Sequence, residues 1–445
     1  MPAVASARPT DRPAIEQTVA RALADQPVID MHTHLYPPTF GTPVPNATGP
    51  TDPAGLMLWG IDELITYHYL IAEVFRVVPA TRLPYEQFWR MSKRDQADHI
   101  WRHLFLERSP ISEACRGVLT TLAKLGLDVS SDRSLEPARR WFAQQDPSKY
   151  LDRVMEIANV ESITMTNPVF DDNERNRWFA NPRVGDDPRF KAVLRIDPLL
   201  RDWQTAARRM SEWGFACSPT IDDRTVENAR MFLRHWIDCQ KAIYLAVSLP
   251  PEWRYPTGTI GDDVFERIIL PVCAERGLPF AMMIGSRLRV NPALNDAGDM
   301  VGRADVDSVI SLCRDFPQNK FLCTMLSREN QHELCVAARK FGNLMIFGCW
   351  WFVNNPSLID EITRMRLELL GTSFIPQHSD ARVLDQLIYK WDHSRELIGR
   401  VLADKYADLA RTGWAVTDLE IRRDVRLLLR DNFVEFLGRE GNAGR

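Results

Sequence analysis

Short apolar runs of strand length alternate with helix-like stretches along most of this 445-residue chain. Such runs are typical of parallel strands that are buried on both faces. The eight runs cover residues 27–35, 162–166, 190–196, 242–247, 280–284, 321–326, 344–348 and 373–378. Eight strands, each followed by helical material, favour a (β/α)8 barrel over a doubly wound sheet, because no glycine-rich phosphate motif follows the first strand. We therefore predict an α/β fold built on a distorted (β/α)8 barrel.

The chain divides into four predicted parts around this barrel. Residues 1–24 form an N-terminal segment and a lead-in helix, and residues 25–50 hold the first strand and a loop rich in proline, threonine and glycine. Residues 51–145 form a helical insertion, in which Ser112 is the expected N-cap of one helix. Residues 146–445 form the remainder of the barrel and the C-terminal helices.

The composition limits the partners and the compartment that we expect. A net charge of -4 argues against nucleic acid as a partner, although local arginines can still attract an anionic small molecule. No run reaches the roughly 18 apolar residues of a membrane span, and the N-terminus lacks the apolar core of a signal peptide. Eight cysteines stand singly, as expected of reduced thiols in a cytoplasmic protein. The oligomeric state stays open, a homo-oligomer included.

Two histidines end the first predicted strand. Because side chains alternate along a strand, His32 and His34 point to the same side. Asp380 follows the eighth strand, which closes a barrel beside the first, so the three side chains are expected to meet. Two imidazoles and one carboxylate suit a divalent ion with open coordination positions. We predict one metal at His32, His34 and Asp380, with zinc as the expected ion. The alternatives are histidines bonded to loops and a helix N-cap role for Asp380.

Further candidates are expected at the same edge, because the active site of a parallel barrel lies at the carboxyl ends of its strands. Arg195 lies on strand three, two residues before Asp197, and Arg382 follows strand eight. Trp350 and Trp351 follow strand seven. Arginines in a cleft can attract an anionic small molecule. The alternatives are a structural ion pair between Arg195 and Asp197 and a core position for the tryptophans.

The chain resembles the uronate isomerase family, also called glucuronate isomerases, of the amidohydrolase superfamily. The resemblance runs from about residue 22 to about residue 436 and is strongest to a divergent branch of the family. The features that carry it are His32-Thr33-His34, Tyr67-His68-Tyr69, Arg195, Gly348-Cys349-Trp350-Trp351-Phe352 and Ser379-Asp380-Ala381-Arg382. It implies a distorted TIM barrel of amidohydrolase type, with a helical insertion after strand one.

The resemblance also implies an activity, the interconversion of D-glucuronate with D-fructuronate and of D-galacturonate with D-tagaturonate. That reaction moves a proton between C2 and C1 of the open-chain sugar acid through an enediol, and it needs a base, an acid and a way to stabilise oxygen charge. The implied catalytic residues are Asp380 as the base, Tyr69 as the acid, and His32. The implied substrate-binding residues are His68, Arg195, Arg382, Trp350 and Trp351. Packing roles in a helix are the alternative for His68 and Tyr69.

Two other functions remain open from the sequence. A mononuclear metal-dependent hydrolase or decarboxylase acting on a sugar acid is the first, although strands four and five end without the histidine or lysine that such hydrolases usually add. A catalytically inert sugar-acid binding protein is the second. The joint presence of His32, His34, Tyr69 and Asp380 argues against the binding protein. His332 and His393 lie in helical stretches and are expected to be solvated.

Overall fold

A curled sheet of seven parallel strands forms the centre of the computed structural model, which describes residues 11–41, 56–130, 132–181 and 183–438. The strands pair in chain order, so each strand contacts the next one along the sequence. They are β1 Val28–Thr33, β2 Val160–Pro168, β3 Phe190–Arg195, β4 Leu245–Leu249, β5 Phe280–Ile284, β6 Phe321–Met325 and β7 Leu344–Ile346. The predicted α/β class and the barrel-type arrangement of the strands are confirmed.

Continuous apolar sequence places these strands in the interior. All five residues of β5 are buried, and the predicted run has the same bounds. Phe280 and Met282 pack toward the outer helices, whereas Ala281 and Met283 belong to the cluster inside the barrel. The two-residue period of a strand therefore supplies both layers of the core.

A lead-in helix and a block of short helices flank the first strand. Ser112 caps its helix as predicted, because its side chain accepts a hydrogen bond from the N–H of Cys115. Residues 42–50 of the predicted first loop lie outside the described residues. The helices are α1 Arg12–Asp25, α2 Ile61–Ile65, α3 His68–Val77, α4 Tyr85–Arg90, α5 Lys93–Trp101, α6 Glu113–Lys124 and α7 Glu136–Phe142, with a π-turn at Arg102–Leu106.

Helices also separate the strands and cover the outside of the sheet. Aspartate side chains cap several of them: Asp171, Asp222 and Asp305 each accept from the backbone N–H three residues on. These helices are α8 Pro147–Ala158, α9 Asp172–Ala180, α10 Asp197–Arg201, α11 Trp203–Glu212, α12 Asp223–Gln240, α13 Ile260–Val264, α14 Leu270–Arg276, α15 Val306–Asp315, α16 Gln331–Ala338 and α17 Pro356–Leu370. A π-turn at Phe265–Ile269 joins α13 to α14.

The eighth predicted strand, residues 373–378, is not a regular strand. One parallel bridge joins Ile375 to Phe347, and the chain then leaves the ladder. Backbone hydrogen bonds close the barrel on its other side, from Asp380 N–H to His32 O at 3.1 Å and from His34 N–H to Ala381 O at 2.7 Å. The barrel is therefore distorted at the seam where the predicted metal ligands meet.

Three helices follow this seam, α18 Gln386–Arg411, α19 Asp418–Arg426 and α20 Asn432–Phe436, with a π-turn at Leu427–Asp431. The long helix α18 packs against α1, α6, α8 and α17. It thereby joins the lead-in helix, the insertion and the barrel. Among the described residues, no helix combines the length and the apolar character that a membrane crossing requires.

Candidate active site

A cavity opens at the carboxyl ends of the barrel strands. Its walls include His32 at the end of β1 and His34 just after it, Arg195 on β3, and Asp380 and Arg382 after the eighth segment. The loop that follows β5 covers part of this cavity and contains a two-stranded ribbon, Ser286–Arg287 with Met300–Val301. The strand ends thus meet at one place, as expected of a parallel barrel.

His32, His34 and Asp380 form a compact group that we call the His-Asp corner. The Nε2 atoms of both histidines lie 3.4 Å from Oδ1 of Asp380. Candidate ligand atoms of the three residues all fall within 4.8 Å of one another. His32 and Asp380 are buried, and Oδ1 of Asp380 has no hydrogen-bond partner among the described residues. A buried carboxylate oxygen facing two imidazole nitrogens fits a divalent cation.

A hydrogen bond behind His34 supports this fit. The Thr166 hydroxyl donates to the carbonyl of Thr33 at 3.1 Å, so its oxygen accepts from Nδ1–H of His34 at 3.0 Å. The lone pair of Nε2 then faces Asp380. Such outer hydrogen bonds fix the tautomer and orientation of a metal-ligating histidine.

The charges in the corner agree with a neutral imidazole beside a carboxylate. Burial and the nearby Arg382 lower the pKa of His34 to about 3. Burial opposes ionisation of Asp380, but the adjacent imidazoles of His32 and His34 outweigh this effect and hold the pKa of the carboxyl well below its usual range. Asp380 is therefore an ionised carboxylate in a buried setting.

The backbone holds Asp380 in an uncommon conformation. Its φ is +51°, in the left-handed region that costs a non-glycine residue about 1–2 kcal/mol. The N–H of the preceding Ser379 donates to Oδ1 of buried Asp30 at 3.1 Å, and Oδ2 of Asp30 accepts from Nε1–H of Trp391 at 2.8 Å. These contacts compensate for the strain and aim the Asp380 carboxylate into the site.

The insertion supplies Tyr67, His68 and Tyr69 at the start of α3, as the sequence predicts. Tyr67 and His68 line the cavity, while Tyr69 lines a second cavity behind it that also contacts Trp351. The Tyr69 hydroxyl and His68 Nε2 are buried without a hydrogen-bond partner among the described residues. Burial raises the pKa of Tyr69 well above its usual value and lowers that of His68 well below. Both groups are neutral.

Arg195 and Arg382 line another part of the cavity, which we call the arginine rim. Arg195 is paired with Asp197 at 2.7 and 3.0 Å and also donates to Ser248 Oγ at 2.9 Å. Arg382 contacts Asp296 of the covering loop at 3.3 Å, and both side chains are about half exposed. Both predicted arginines reach the cavity, and the alternative ion pair of Arg195 with Asp197 is also present.

The two tryptophans occupy different places. Trp350 is buried with the cluster inside the barrel and also lines the cavity. Trp351 lies between the two cavities, with its ring 5.4 Å from that of His68. The core and substrate-wall alternatives therefore both apply to Trp350.

Several residues near the site were not among the predicted site residues. His378 is fully buried beside His32, with ring centroids 5.2 Å apart, and Tyr67, Ser248 and Asp296 line the cavity. Gly348 explains how His378 fits, because a Cβ there would lie 1.7 Å from its Nδ1. The two-residue spacing from Asp380 to His378 was a usable signal for His378. Ser248 lies on β4, Tyr67 caps α3, and Asp296 comes from the covering loop, for which the sequence carries no periodic signal.

One secondary prediction is wrong. His393 is buried on α18 and its ring nitrogens contact Glu113 at 2.6 Å and Thr120 at 2.9 Å. The helical stretch faces α6 at this position rather than solvent.

The parallel α/β barrel and the His-Asp corner at its seam define a TIM-barrel enzyme with a candidate mononuclear metal centre. A comparison with solved structures identifies the group more closely. The chain is 51% identical to a uronate isomerase from Bacillus halodurans C-125, over 97% of each chain, with a TM-score of 0.91. The chain belongs to the uronate isomerase family.

Two further solved structures share the fold. One is a uronate isomerase from Thermotoga maritima, which is 14% identical over 95% of this chain and 97% of its own, with a TM-score of 0.73. The other is a glucuronate isomerase from Caulobacter crescentus, which is 14% identical over 98% of this chain and 97% of its own, with a TM-score of 0.71. At this identity the likeness concerns the fold. No family model and no curated protein matches the chain.

Proposed function

We propose that this protein is an aldose–ketose isomerase that interconverts D-glucuronate with D-fructuronate and D-galacturonate with D-tagaturonate. The observation that carries the proposal is the 51% identity to a uronate isomerase across 97% of both chains. The site supplies matching chemistry, with an ionised buried carboxylate, the Tyr67 phenol and two arginines around one cavity, and the buried Tyr69 phenol in the second cavity behind it.

Asp380 is proposed as the base and Tyr69 as the acid. Asp380 removes the proton from C2 while the Tyr69 hydroxyl protonates the aldehyde oxygen O1, which gives the neutral enediol. The Asp380 carboxyl then returns its proton to C1, and the Tyr69 phenolate takes the proton of the C2 hydroxyl as the C2 carbonyl forms. Both residues end in their starting forms, and each such acid–base contribution is worth about 10² to 10⁴-fold.

His32, His34 and Asp380 are proposed to hold one divalent metal, with zinc as the proposed ion. When bound, it would polarise the substrate oxygens as a Lewis acid. The low pKa of His34 favours the neutral ligand form of its imidazole.

The arginine rim is proposed to bind the uronate carboxylate. Arg382 is the better candidate, because Arg195 already has two short contacts to Asp197. His68, Trp350 and Trp351 are proposed to contact the sugar. A charge-assisted, fork-shaped contact selects an acidic sugar over a neutral aldose.

Free thiols support a cytoplasmic location as part of the proposal. All eight cysteines are free, and seven of them are buried. Reduced single cysteines are typical of that compartment.

The direct test follows the sugar in D2O by proton NMR. Metal-replete and chelator-treated protein is incubated with D-glucuronate and with D-galacturonate. The expected result is the 2-keto acid, with deuterium at C1 in the molecules for which the proton on Asp380 exchanges with D2O before it returns to carbon, and slower conversion after chelation. The Asp392→Asn variant is a matched control, since Asp392 pairs with Lys124 at the surface. Absence of conversion with both sugars would contradict the proposal, and sugar-acid lactones and amides would then test the hydrolase alternative.

A further inference from the structure

Lys390 is a buried cation behind the active site. It lies near the start of α18, and only 4% of its surface is exposed. Burying an ammonium costs several kcal/mol unless its hydrogens find acceptors. Burial lowers the pKa of Lys390 to about 8, with the charge of Asp380 acting against the shift. No described carboxylate forms an ion pair with Lys390. Other groups must therefore stabilise the buried ammonium.

The first partner of Lys390 is the peptide that carries Asp380. Its Nζ donates to the carbonyl oxygen of Ser379 at 2.5 Å. The same peptide unit ends in the N–H of Asp380, which donates to His32 O at 3.1 Å. A planar peptide bond that is held at both its C=O and its N–H cannot rotate. Lys390 thus fixes the plane from which the Asp380 side chain projects.

The second partner of Lys390 is Tyr69. Nζ lies 5.6 Å from the centroid of the Tyr69 ring, which is a cation–π contact. One ammonium therefore contacts the backbone of the proposed base and the ring of the proposed acid. Lys390 does not line the substrate cavity and lines the second cavity instead.

We propose that Lys390 is a positioning residue of the isomerase, whose ammonium holds Asp380 and Tyr69 in their reactive orientations. This inference rests on the proposed function. It adds a residue that contacts neither the substrate cavity nor the candidate metal. Its effect on the reaction passes through Asp380 and Tyr69.

The test compares Lys390→Met, Lys390→Gln and Lys390→Ala with wild type. Because a misplacement of about 1 Å can reduce the rate by about 10²-fold, we expect kcat of Lys390→Met to fall by about that factor, with KM changed less than about threefold. Zinc affinity, measured by competition with a chelating dye, is expected to fall about tenfold, as for other groups that orient a ligand. Lys390→Gln retains an N–H donor and is expected to lose less.

Chemical rescue separates a positioning role from a merely structural one. Removal of the side chain in Lys390→Ala extends the second cavity, which gives a small ammonium ion a place beside Ser379 O. Ethylammonium is expected to restore kcat of Lys390→Ala at least tenfold, whereas neutral 1-propanol restores nothing. Lys405→Met is the matched control on the same helix, because Lys405 pairs with Glu368 at the surface, and it is expected to keep wild-type kcat.

The outcomes are distinct. A folded Lys390→Met or Lys390→Gln with wild-type kcat and zinc affinity overturns the proposal. Loss of activity that matches loss of folded protein, with no rescue of Lys390→Ala by ethylammonium, also overturns it and makes Lys390 structural. Should Lys390→Met fail to fold, Lys390→Gln and the rescue of Lys390→Ala decide. If wild-type protein converts neither hexuronate, the proposed function itself is refuted. If wild type is active and the Lys390 variants are unaffected, only the role of Lys390 is refuted.

Discussion

The two sides of the active-site cavity differ in how firmly their residues are held. In the His-Asp corner, Asp380 is 6% exposed, and backbone hydrogen bonds of Asp380 and Ala381 to His32 and His34 fix its position. In the arginine rim, the Arg382 side chain is 42% exposed and its partner Asp296 is 59% exposed. The corner is buried, whereas the Arg382 end of the rim is half exposed to solvent; Arg195, with 20% of its side chain exposed, is held by Asp197.

This difference suggests that the corner serves catalysis and that the rim serves substrate binding. Preorganised polar groups in a buried site stabilise charge in the transition state without reorganising, which raises kcat. Half-exposed ion pairs exchange partners at little cost, which suits recognition of an incoming carboxylate. We therefore expect substitutions in the corner to lower kcat and substitutions in the rim to raise KM.

The largest effect is expected from Asp380→Asn. The amide removes the base and the anionic oxygen of the corner while keeping the shape, so kcat should fall by about 10⁴-fold. Steady-state conversion of D-glucuronate measures it, with Asp392→Asn as the surface control. A loss below about tenfold would mean that another group removes the C2 proton.

Tyr69→Phe removes the proposed acid and should lower kcat by about 10²-fold with little change in KM. Tyr67→Phe is the sharp comparison, because Tyr67 lines the substrate cavity whereas Tyr69 lines the cavity behind it. Kinetics of both variants assign the acid. A larger loss in Tyr67→Phe than in Tyr69→Phe would move that role to Tyr67.

Arg382→Met tests the rim. Loss of one charge-assisted contact of about 1.5–3 kcal/mol should raise KM for the uronate at least tenfold and leave kcat within about threefold. Arg328→Met is the control, since Arg328 pairs with Glu361 at the surface after β6. If kcat instead fell as strongly as in Asp380→Asn, Arg382 would take part in the chemical step, and the rim would not serve binding alone.

The smallest effect concerns stability and a second buried carboxylate. Burial raises the pKa of Glu174 from 4.5 to about 8, although Asn167 and Tyr36 donate hydrogen bonds to it. The folded chain therefore keeps a proton that the unfolded chain releases, so this contribution to stability is present below pH 4.5 and is lost as the pH rises through about 8. Each pKa unit corresponds to about 1.4 kcal/mol.

Urea unfolding at pH 5.5 and pH 8 measures this dependence. Wild type should lose more stability over that interval than Glu174→Gln, whose amide cannot ionise. Equal losses in the two proteins would show that Glu174 is ionised in the fold. Glu174 would then resemble Asp380, as a carboxylate that is ionised although it is buried.

Much of the barrel was predictable because its signals are local. The predicted bounds of β5 agree with the structure, since this strand is one continuous apolar run. His32 and His34 were predictable as a pair because a strand fixes the direction of residues two apart. The eighth segment was predicted as a strand because it is apolar, but it twists out of the ladder to close the seam.

By itself, the sequence determined the alternation of strands and helices, the direction of His32 and His34, and the place of Asp380 at the end of the last segment. Tertiary structure alone decided that Asp380 adopts a positive φ, that Asp296 faces Arg382, and that Lys390 turns inward to Ser379. Periodicity is a property of neighbours along the chain, whereas the partner of a buried charge depends on which distant segments the closed barrel brings together.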